Sequence, residues 1–173
     1  MPDTITNIGN SAFQGNYNLS YVKLSNMLTN ISDDIFDNCG LDTITIPDGV
    51  TVIGEGAFHA NQLVEIELSK NLTTIGNSAF AGNKLANVTI PSSVTSIGKK
   101  SFNIGCGVGT CTGGVCECDV ASGNENLSNI VNKTGKSFDW DSIINDSTKG
   151  RYTFETGTVA SDNKANWNIE ITK

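Results

Sequence analysis

The chain has 173 residues, of which 38% are hydrophobic and 17% charged, and this composition is ordinary for one extended soluble domain. The formal net charge is −7 and only 11 lysines and arginines are spread along the length, which argues against nucleic acid or an anionic membrane as a partner. No apolar run approaches the roughly 18 to 20 residues that cross a bilayer, and the first residues do not resemble a signal peptide.

A repeat of 22 or 23 residues organises the first hundred residues and is marked by five phenylalanines: Phe13, Phe36, Phe58, Phe80 and Phe102. Its clearest copies are LDTITIPDGVTVIGEGAF and LANVTIPSSVTSIGKKSF. Because a unit of this length cannot bury its apolar side alone, the units must stack on one another. The sequence therefore predicts a mainly β repeat solenoid.

The chain begins inside a repeat, since Met1-Pro2 aligns with Ile46-Pro47 and Ile90-Pro91. A solenoid needs a polar cap over its first apolar layer. We therefore expect a fragment of a longer protein, which could have lost an export signal with the missing part; the alternative is an end that a partner covers. The uncapped layer predicts end-to-end association of copies.

The first half of each unit predicts a short strand, because its apolar residues alternate with polar ones. The apolar positions are Leu19-Val22-Leu24, Leu41-Ile44-Ile46, Leu63-Ile66-Leu68 and Leu85-Val88-Ile90. Stacked strands of this kind form a parallel sheet with one open face. The candidate binding residues are the eight side chains expected on that face: Tyr21, Lys23, Thr43, Thr45, Glu65, Glu67, Asn87 and Thr89.

The second half of each unit is expected to line the back of the coil, with the phenylalanines stacked into a spine. A glycine follows the isoleucine of this second half in most units, and we expect it to supply a turn conformation closed to other residues: Gly9, Gly54, Gly76 and Gly98. Three residues after each phenylalanine comes Asn16, Cys39, Asn61 or Asn83. The asparagines are expected to satisfy backbone groups at the bend into the strand, and Cys39 to pack as a small buried thiol.

These residues resemble the BspA-like leucine-rich repeats of bacterial surface proteins and of some protist ones, with the signature L-x-x-I-x-I-P-x-x-V-T-x-I-G-x-x-A-F. The resemblance covers residues 2 to 102. It implies a right-handed solenoid with a parallel sheet on one face, an extracellular or cell-surface location, and adhesion or other protein binding as the usual role.

A glycine-rich insertion at about residues 104–124 interrupts the repeat and carries four cysteines: Cys106, Cys111, Cys116 and Cys118. Their spacing, C-x4-C-x4-C-x-C, lacks the paired knuckles of common zinc sites. Two disulfides in an oxidising compartment are the favoured interpretation, while zinc binding and reduced thiols stay open. The repeat then resumes at Leu127 and Ile130 as a sixth strand, and the polar Asn132 indicates that the ladder is ending.

The last part of the chain, residues 133–173, is expected to form a C-terminal cap, which leaves residues 1–132 as the solenoid. The segment SFDWDSIIN predicts a short helix, and RYTFETGTV with NWNIEIT predicts a β-hairpin. The two tryptophans, Trp140 and Trp167, are expected to cover the apolar end of the last repeat.

Outside the cysteine insertion, no constellation of residues indicates an enzyme, a cofactor or a metal site. His59 is the single histidine and is expected to be a surface residue. Glu65 and Glu67 point outward about 7 Å apart, a spacing that invites comparison with glycosidases. An open sheet face offers no cleft that could raise one pKa, so we interpret the pair as a solvated acidic patch.

The sequence, taken with the location and role that the resemblance implies, favours a non-enzymatic, secreted or surface-exposed bacterial module. We expect it to bind a protein or glycan on a host or neighbouring cell surface through the open sheet face, without inserting into a membrane. The alternative is a structural spacer that presents another domain of a longer surface protein.

Overall fold

The computed structural model describes residues 1–103 without a gap and, beyond them, residues 111–112, 115–116, 124, 127, 129–134, 138, 143, 153–156 and 167–172. Over these residues the chain is a mainly β parallel solenoid, which confirms the predicted fold class. Its described strands are β1 (Asn30–Ile31), β2 (Thr43–Thr45), β3 (Val52–Ile53), β4 (Glu65–Glu67), β5 (Thr74–Ile75), β6 (Asn87–Ile90), β7 (Ser96–Ile97), β8 (Cys111–Thr112), β9 (Val115–Cys116), β10 (Asn129–Asn132), β11 (Thr153–Thr156) and β12 (Trp167–Thr172).

The front of the solenoid consists of β2, β4, β6 and β10, the strands that the alternating pattern predicted. β2 pairs in parallel with β4, and β6 pairs in parallel with β10, where Val88 lies opposite Ile130. Ile44 and Val88 are buried while their neighbours along the strand are exposed. The period-two pattern therefore gave the correct inward and outward faces.

The predicted strand around Val22 is not formed. Residues 17–20 are held to the next turn by the N–H of Gly40, which donates to the carbonyl of Leu19, and by the N–H of Asp42, which donates to that of Ser20. No ladder continues through residues 21–24, all of which the structure describes. The N-terminal amine of Met1 donates to the carbonyl of Lys23, but this single bond does not replace the ladder that fixes an interior strand.

A second parallel sheet runs along the back of the coil and was missed at the sequence level. It joins β1, β3, β5 and β7 in that order, with the isoleucines of successive turns in register. The threonine before each pair of strand residues also links turns, because Thr73 Oγ1 donates to the carbonyl of Thr51 at 2.9 Å. Runs such as Thr51-Val52-Ile53 are rich in β-branched residues and carried the signal.

The predicted phenylalanine spine is confirmed. Neighbouring rings stack with centroids 5.3 to 5.6 Å apart and interplanar angles of 1 to 13°. Every ring from Phe36 to Phe102 is fully buried, whereas Phe13 at the first turn is only partly buried. Predicted end-to-end association of copies through this first layer stays a prediction.

The asparagines near each bend form a second buried ladder, as expected from their position. Asn83 Oδ1 accepts from the N–H of Leu63 at 3.1 Å, and its Nδ2 donates to the carbonyls of Phe58, Phe80 and Ala81 at 2.9, 3.0 and 3.3 Å. Asn61 makes the equivalent bonds one turn earlier. One side chain thus satisfies backbone groups of two turns.

Cys39 takes the place of an asparagine in this ladder. Its side chain is buried, with the thiol 3.0 Å from the carbonyl oxygen of Phe13, so it does more than fill space. Burial raises the pKa of the Cys39 thiol, and this outweighs the lowering effect of the hydrogen bond with the backbone of Asn16. Cys39 is a free cysteine.

The role predicted for the repeat glycines is wrong. Gly54, Gly76 and Gly98 do not have positive φ angles; a Cβ on Gly76 would instead lie 2.5 Å from the carbonyl carbon of Gly54. These glycines are required because successive turns approach each other too closely for a side chain. Gly9 lies in the first turn, and a Cβ there would have nothing within 4 Å.

We expect Gly76→Ala to destabilise the solenoid by about 1–3 kcal/mol, the usual cost of overpacking. The clash is with backbone atoms, so it can be relieved only by separating the turns. Gly9→Ala is the matched control and should leave the free energy of unfolding within about 0.5 kcal/mol of the parent. Urea unfolding followed by circular dichroism measures both, and equal losses in the two variants would contradict the explanation.

The left-handed residues lie two positions before and two after the phenylalanines. Non-glycine residues occupy most of these sites: Ser11, Asp34, Asn38, Ala60, Ser78 and Lys100, with φ between 51 and 57°. Glycine fills the others, as at Gly15, Gly56 and Gly82. Each spine residue from Phe13 to Phe80 therefore lies between two left-handed sites, a conformation that favours glycine.

Two adjacent lysines allow this to be tested with opposite expected signs. Lys100 has a φ of 57° and Lys99 does not have a positive φ, while both side chains are exposed. Lys100→Gly should raise the free energy of unfolding by about 1 kcal/mol by removing left-handed strain, and Lys99→Gly should lower it by about 0.5–1 kcal/mol through chain entropy. Thermal unfolding of the two variants measures both changes, and a stability loss in both would show that the turn is not strained.

The parallel ladder ends at β10, where the sequence placed its end. β12 pairs antiparallel with β10, with Trp167 opposite Asn132, and β11 pairs antiparallel with β12. Asn132 is nevertheless buried, and its Oδ1 accepts from the backbone N–H and the hydroxyl of Thr134. Three expectations stay predictions, because they depend on residues or side chains outside the described part. They are the division into solenoid and cap at residue 132, the helix around residues 137–145 and the covering role of the tryptophan side chains.

The insertion after Phe102 contributes the short hairpin of β8 and β9, in which Cys111 lies opposite Cys116 in register. The side chains of the four insertion cysteines lie outside the described residues, so the disulfide, zinc and reduced-thiol alternatives stay open. Both ends of the insertion return to the core: Asn124 Nδ2 donates to the carbonyls of Phe80 and Asn103 at 2.8 and 3.3 Å. Asn124, which the sequence placed at the edge of the insertion, therefore continues the asparagine ladder.

Candidate functional site

The eight candidate binding side chains are all exposed, as the alternation predicted. The structure brings four of them into one register: Thr43 lies opposite Glu65, and Thr45 opposite Glu67. The others are separated from this group, because Asn87 and Thr89 lie on β6, and Tyr21 and Lys23 lie on the segment without a ladder. The predicted continuous face is thus divided.

The division between β4 and β6 reflects the absence of a ladder between these two strands, all of whose residues are described. At the carboxyl end of β2, the N–H of Ile46 donates to the carbonyl of Glu67 at 2.9 Å. Residues 63–70 and 85–92 are all described, and the equivalent bond from Leu68 to Thr89 is not made among them. Near the strand starts, the N–H of Lys84 still donates to the carbonyl of Leu63 at 2.9 Å. The two strands therefore separate toward their carboxyl ends.

A cavity of about 380 Å³ opens at this separation, and we call it the strand-end cleft. It is lined by Ile66, Glu67, Leu68, Lys70, Thr89, Pro91, Ser92 and Lys133. The sheet therefore has an open cleft at the ends of β4 and β6. The motif departs from its signature here, because Ser69 stands where the neighbouring units have Pro47 and Pro91, but this change alone does not indicate a gap between strands.

The cleft does not bring Glu65 and Glu67 together, because Glu67 lines it and Glu65 does not. The carboxylate pair therefore lacks the shared enclosed site that a glycosidase mechanism needs. Both side chains are exposed on β4. This agrees with the interpretation of a solvated acidic patch.

The charges at the cleft are mixed. Lys70 Nζ lies 2.6 Å from Asp48 Oδ2, an ion pair whose side chains are 74% and 62% exposed, and such surface pairs contribute little to stability. Lys133 is held beside the end of β6 by its N–H, which donates to the carbonyl of Ile90 at 3.0 Å. Together with Glu67, these groups give the cleft both hydrogen-bond donors and acceptors.

A polar row runs along the turns beside the phenylalanine spine. His59 Nδ1 lies 2.8 Å from Asp37 Oδ1, and Gln14 Nε2 donates to Asp37 Oδ2 at 2.8 Å. Burial by itself raises the pKa of Asp37, but the hydrogen bonds from His59 and Gln14 lower it below its ordinary value. His59 is thus bonded across turns, while its side chain is 40% exposed.

This row has no features of a catalytic site. Burial, followed by the nearby charges of Asp37 and Asp33, raises the pKa of Asp34, whose side chain is half-buried. The next position of the row is Ala81, which supplies no third group. In the part of the chain that the structure describes, no three His, Cys, Asp or Glu side chains converge on a possible metal site. No helix there is long and apolar enough to span a bilayer.

Comparison with known proteins identifies the repeat. The model of the BspA type leucine rich repeat region matches residues 1–106 in six copies. No curated protein matches the chain. A solved leucine-rich repeat protein from Bacteroides ovatus is 26% identical, with a TM-score of 0.54 over 63% of this chain, which covers 29% of that protein. The chain therefore belongs to the BspA-type leucine-rich repeat family.

Proposed function

We propose that the chain is a non-enzymatic, adhesion-type module that binds a protein or glycan partner through the open face of its front sheet. The observation that carries this is the in-register group of exposed residues on β2 and β4: Thr43, Thr45, Glu65 and Glu67. A parallel ladder fixes the spacing between such side chains at about 4.8 Å. Pre-organised groups lose little conformational entropy when a partner binds.

Tyr21 adds an aromatic contact to this mostly polar face. Its side chain is 67% exposed, and aromatic residues often anchor interfaces because they bury a large area with few rotatable bonds. Lys23 is exposed two residues later. A partner spanning the first turns would meet an aromatic ring, a cation and the acidic pair of β4.

A cell-surface or extracellular location in a bacterium is part of the proposal. BspA-type repeat proteins are typically bacterial surface proteins and interaction modules, and the solved relative comes from a bacterium. The chain spans 29% of the length of that relative, so the role of any whole protein that contains it belongs to the same proposal.

The sheet-face proposal is tested by reversing a charge on the face and the same charge elsewhere. Glu65→Lys alters the face, whereas Glu55→Lys makes the same change on an exposed glutamate of a back turn. Labelled protein is passed over immobilised extracellular-matrix proteins and a glycan panel. For any immobilised partner that binds the parent chain, Glu65→Lys should bind at least about tenfold more weakly, which corresponds to roughly 1.4 kcal/mol.

Tyr21→Ala should weaken the same interaction, since it removes the exposed aromatic contact. Glu55→Lys should bind like the parent, which separates an effect of the face from one of net charge. If Glu65→Lys and Tyr21→Ala both bind like the parent, the sheet face is not the binding surface.

The second candidate is a structural spacer that presents another domain. The stacked rings and the asparagine ladder favour it, because both run from turn to turn along the solenoid and stiffen it. A spacer predicts that no variant of an exposed front-sheet residue changes any interaction of the parent protein.

A further inference from the structure

We propose that the strand-end cleft is a binding site for a short saccharide of one or two sugar units. This goes beyond the sheet-face proposal, since the cleft lies between β4 and β6 and shares only Glu67 and Thr89 with the eight face residues. Of its other lining residues, Ile66 is the central residue of β4, and the rest belong to the segments that follow the strands.

The first support is an unpaired backbone donor. In the neighbouring turn the equivalent N–H, that of Ile46, is bonded to the carbonyl of Glu67 at 2.9 Å. The N–H of Leu68 makes no such bond, although Leu68 is half-buried and lines the cleft. Backbone N–H groups that leave water normally find a partner, and a ligand in the cleft can supply the acceptor.

The size of the cavity indicates a small ligand. Ligand pockets usually span about 300–1,000 Å³, and the strand-end cleft, at about 380 Å³, is near the lower limit. A cavity of this size would hold one or two sugar rings.

The lining has the mixture of groups that a sugar requires. Ile66, Leu68 and Pro91 provide an apolar surface for the C–H face of a ring. Ser92 and Lys133 supply donors and Glu67 supplies an acceptor, which suits a ligand that carries hydroxyl groups in several directions.

The charge distribution favours a neutral saccharide over a simple anion. Of the two lysines, Lys70 already pairs with Asp48 at 2.6 Å, and Glu67 adds a negative charge to the lining. An anion would meet little net positive field here, while hydroxyl groups can bond to either charge sign.

The test is saturation-transfer difference NMR on the intact chain with a panel of named probes: glucose, galactose, N-acetylglucosamine, maltose, lactose and cellobiose. We expect at least one probe to receive saturation. Ser92→Tyr, which fills the cleft, should reduce that signal to the level of a protein-free sample. Ser96→Tyr, the same change at an exposed position of β7 on the back sheet, should leave it unchanged.

Lys133→Ala is the second variant in case Ser92→Tyr does not fold, and it should reduce the signal several-fold with unchanged circular dichroism. Saturation of none of the probes by the parent chain, or an equal signal in the cleft variants, would overturn the proposal. If the cleft variants lose binding to an immobilised protein partner while no saccharide gives a signal, the proposal would also be overturned, in favour of a peptide ligand. Glu65→Lys should keep the saccharide signal, so failure of the sheet-face proposal remains distinguishable.

Discussion

Phe58→Ala is expected to lower the free energy of unfolding by about 3–5 kcal/mol, the usual cost of removing a fully buried aromatic ring. Phe58 lies in the middle of the spine, with ring centroids 5.6 Å from Phe36 and 5.4 Å from Phe80. Its removal leaves a cavity bounded by two rings and ends stacking on both sides. Backbone hydrogen bonds between successive turns fix their spacing, so the turns cannot collapse into the gap.

Phe13→Ala is the matched control. Phe13 stacks on Phe36 alone and is only partly buried, so the same deletion should cost about half as much. Urea unfolding gives both values, with the denaturant slope as a check that the whole solenoid still unfolds together. Equal losses for the two variants would show that stacking within the interior of the spine adds nothing to stability.

The parts of the fold that follow from a repeating local pattern could be predicted. The phenylalanine spacing determined the turn length, and the alternation around Ile44 and Val88 determined which side chains face the core. Both depend on one unit and its copies, so each unit confirms the others. The back sheet was missed because its two-residue strands are too short to show alternation, although their β-branched composition was visible.

The glycines show where a local explanation fails. A glycine in a turn suggests positive φ, and the sequence contains no information on how closely the next turn approaches. At Gly98 a Cβ would lie 2.4 Å from the backbone nitrogen of Asn77, one turn away. The true left-handed sites carry Lys100, Ala60 and similar residues, whose identity gives no indication of their backbone conformation.

The candidate site was predicted in part for the same reason. Exposure of the eight side chains follows from strand alternation, but their grouping depends on which neighbouring strands pair. The described strands β4 and β6 share no ladder, and the bond from Leu68 to Thr89 is one of those not made, although both residues fit the repeat as well as Ile46 and Glu67 do. A pattern within one unit cannot indicate a gap between two.

The insertion after Phe102 shows that the solenoid depends on certain contacts more than on a constant period. Asn124 is 44 residues from Phe80, yet it donates to that carbonyl at 2.8 Å and accepts from the N–H of Leu85 at 3.0 Å. These bonds reproduce those of Asn83 to the preceding turns. An extra segment is tolerated where the chain leaves and re-enters the coil at the ladder.

Asn83→Ala should therefore be among the most damaging substitutions, although asparagine is polar. Asn83 is buried, and its loss leaves the N–H of Leu63 and the carbonyl of Phe58 without their side-chain partner. Each buried group left unpaired costs about 1–3 kcal/mol, so we expect a loss of roughly 2–6 kcal/mol for the two together. Asn16→Ala is the control, since Asn16 is exposed and water can replace its bond to the carbonyl of Phe13.

Asn83→Asp keeps the shape of the side chain and separates hydrogen bonding from packing. An ionised carboxylate can accept from the N–H of Leu63, but its second oxygen would face the carbonyls of Phe58 and Phe80. Burial would raise the pKa of the new carboxyl group above its unfolded value. Destabilisation should therefore grow as the pH rises from the unfolded pKa through the folded pKa, and lessen in acid. Unfolding free energies of Asn83→Asp measured from pH 4 to 8 against Asn83→Ala test this. A loss that is the same at every pH would mean that the asparagine acts by filling space rather than by donating to the two turns that it joins.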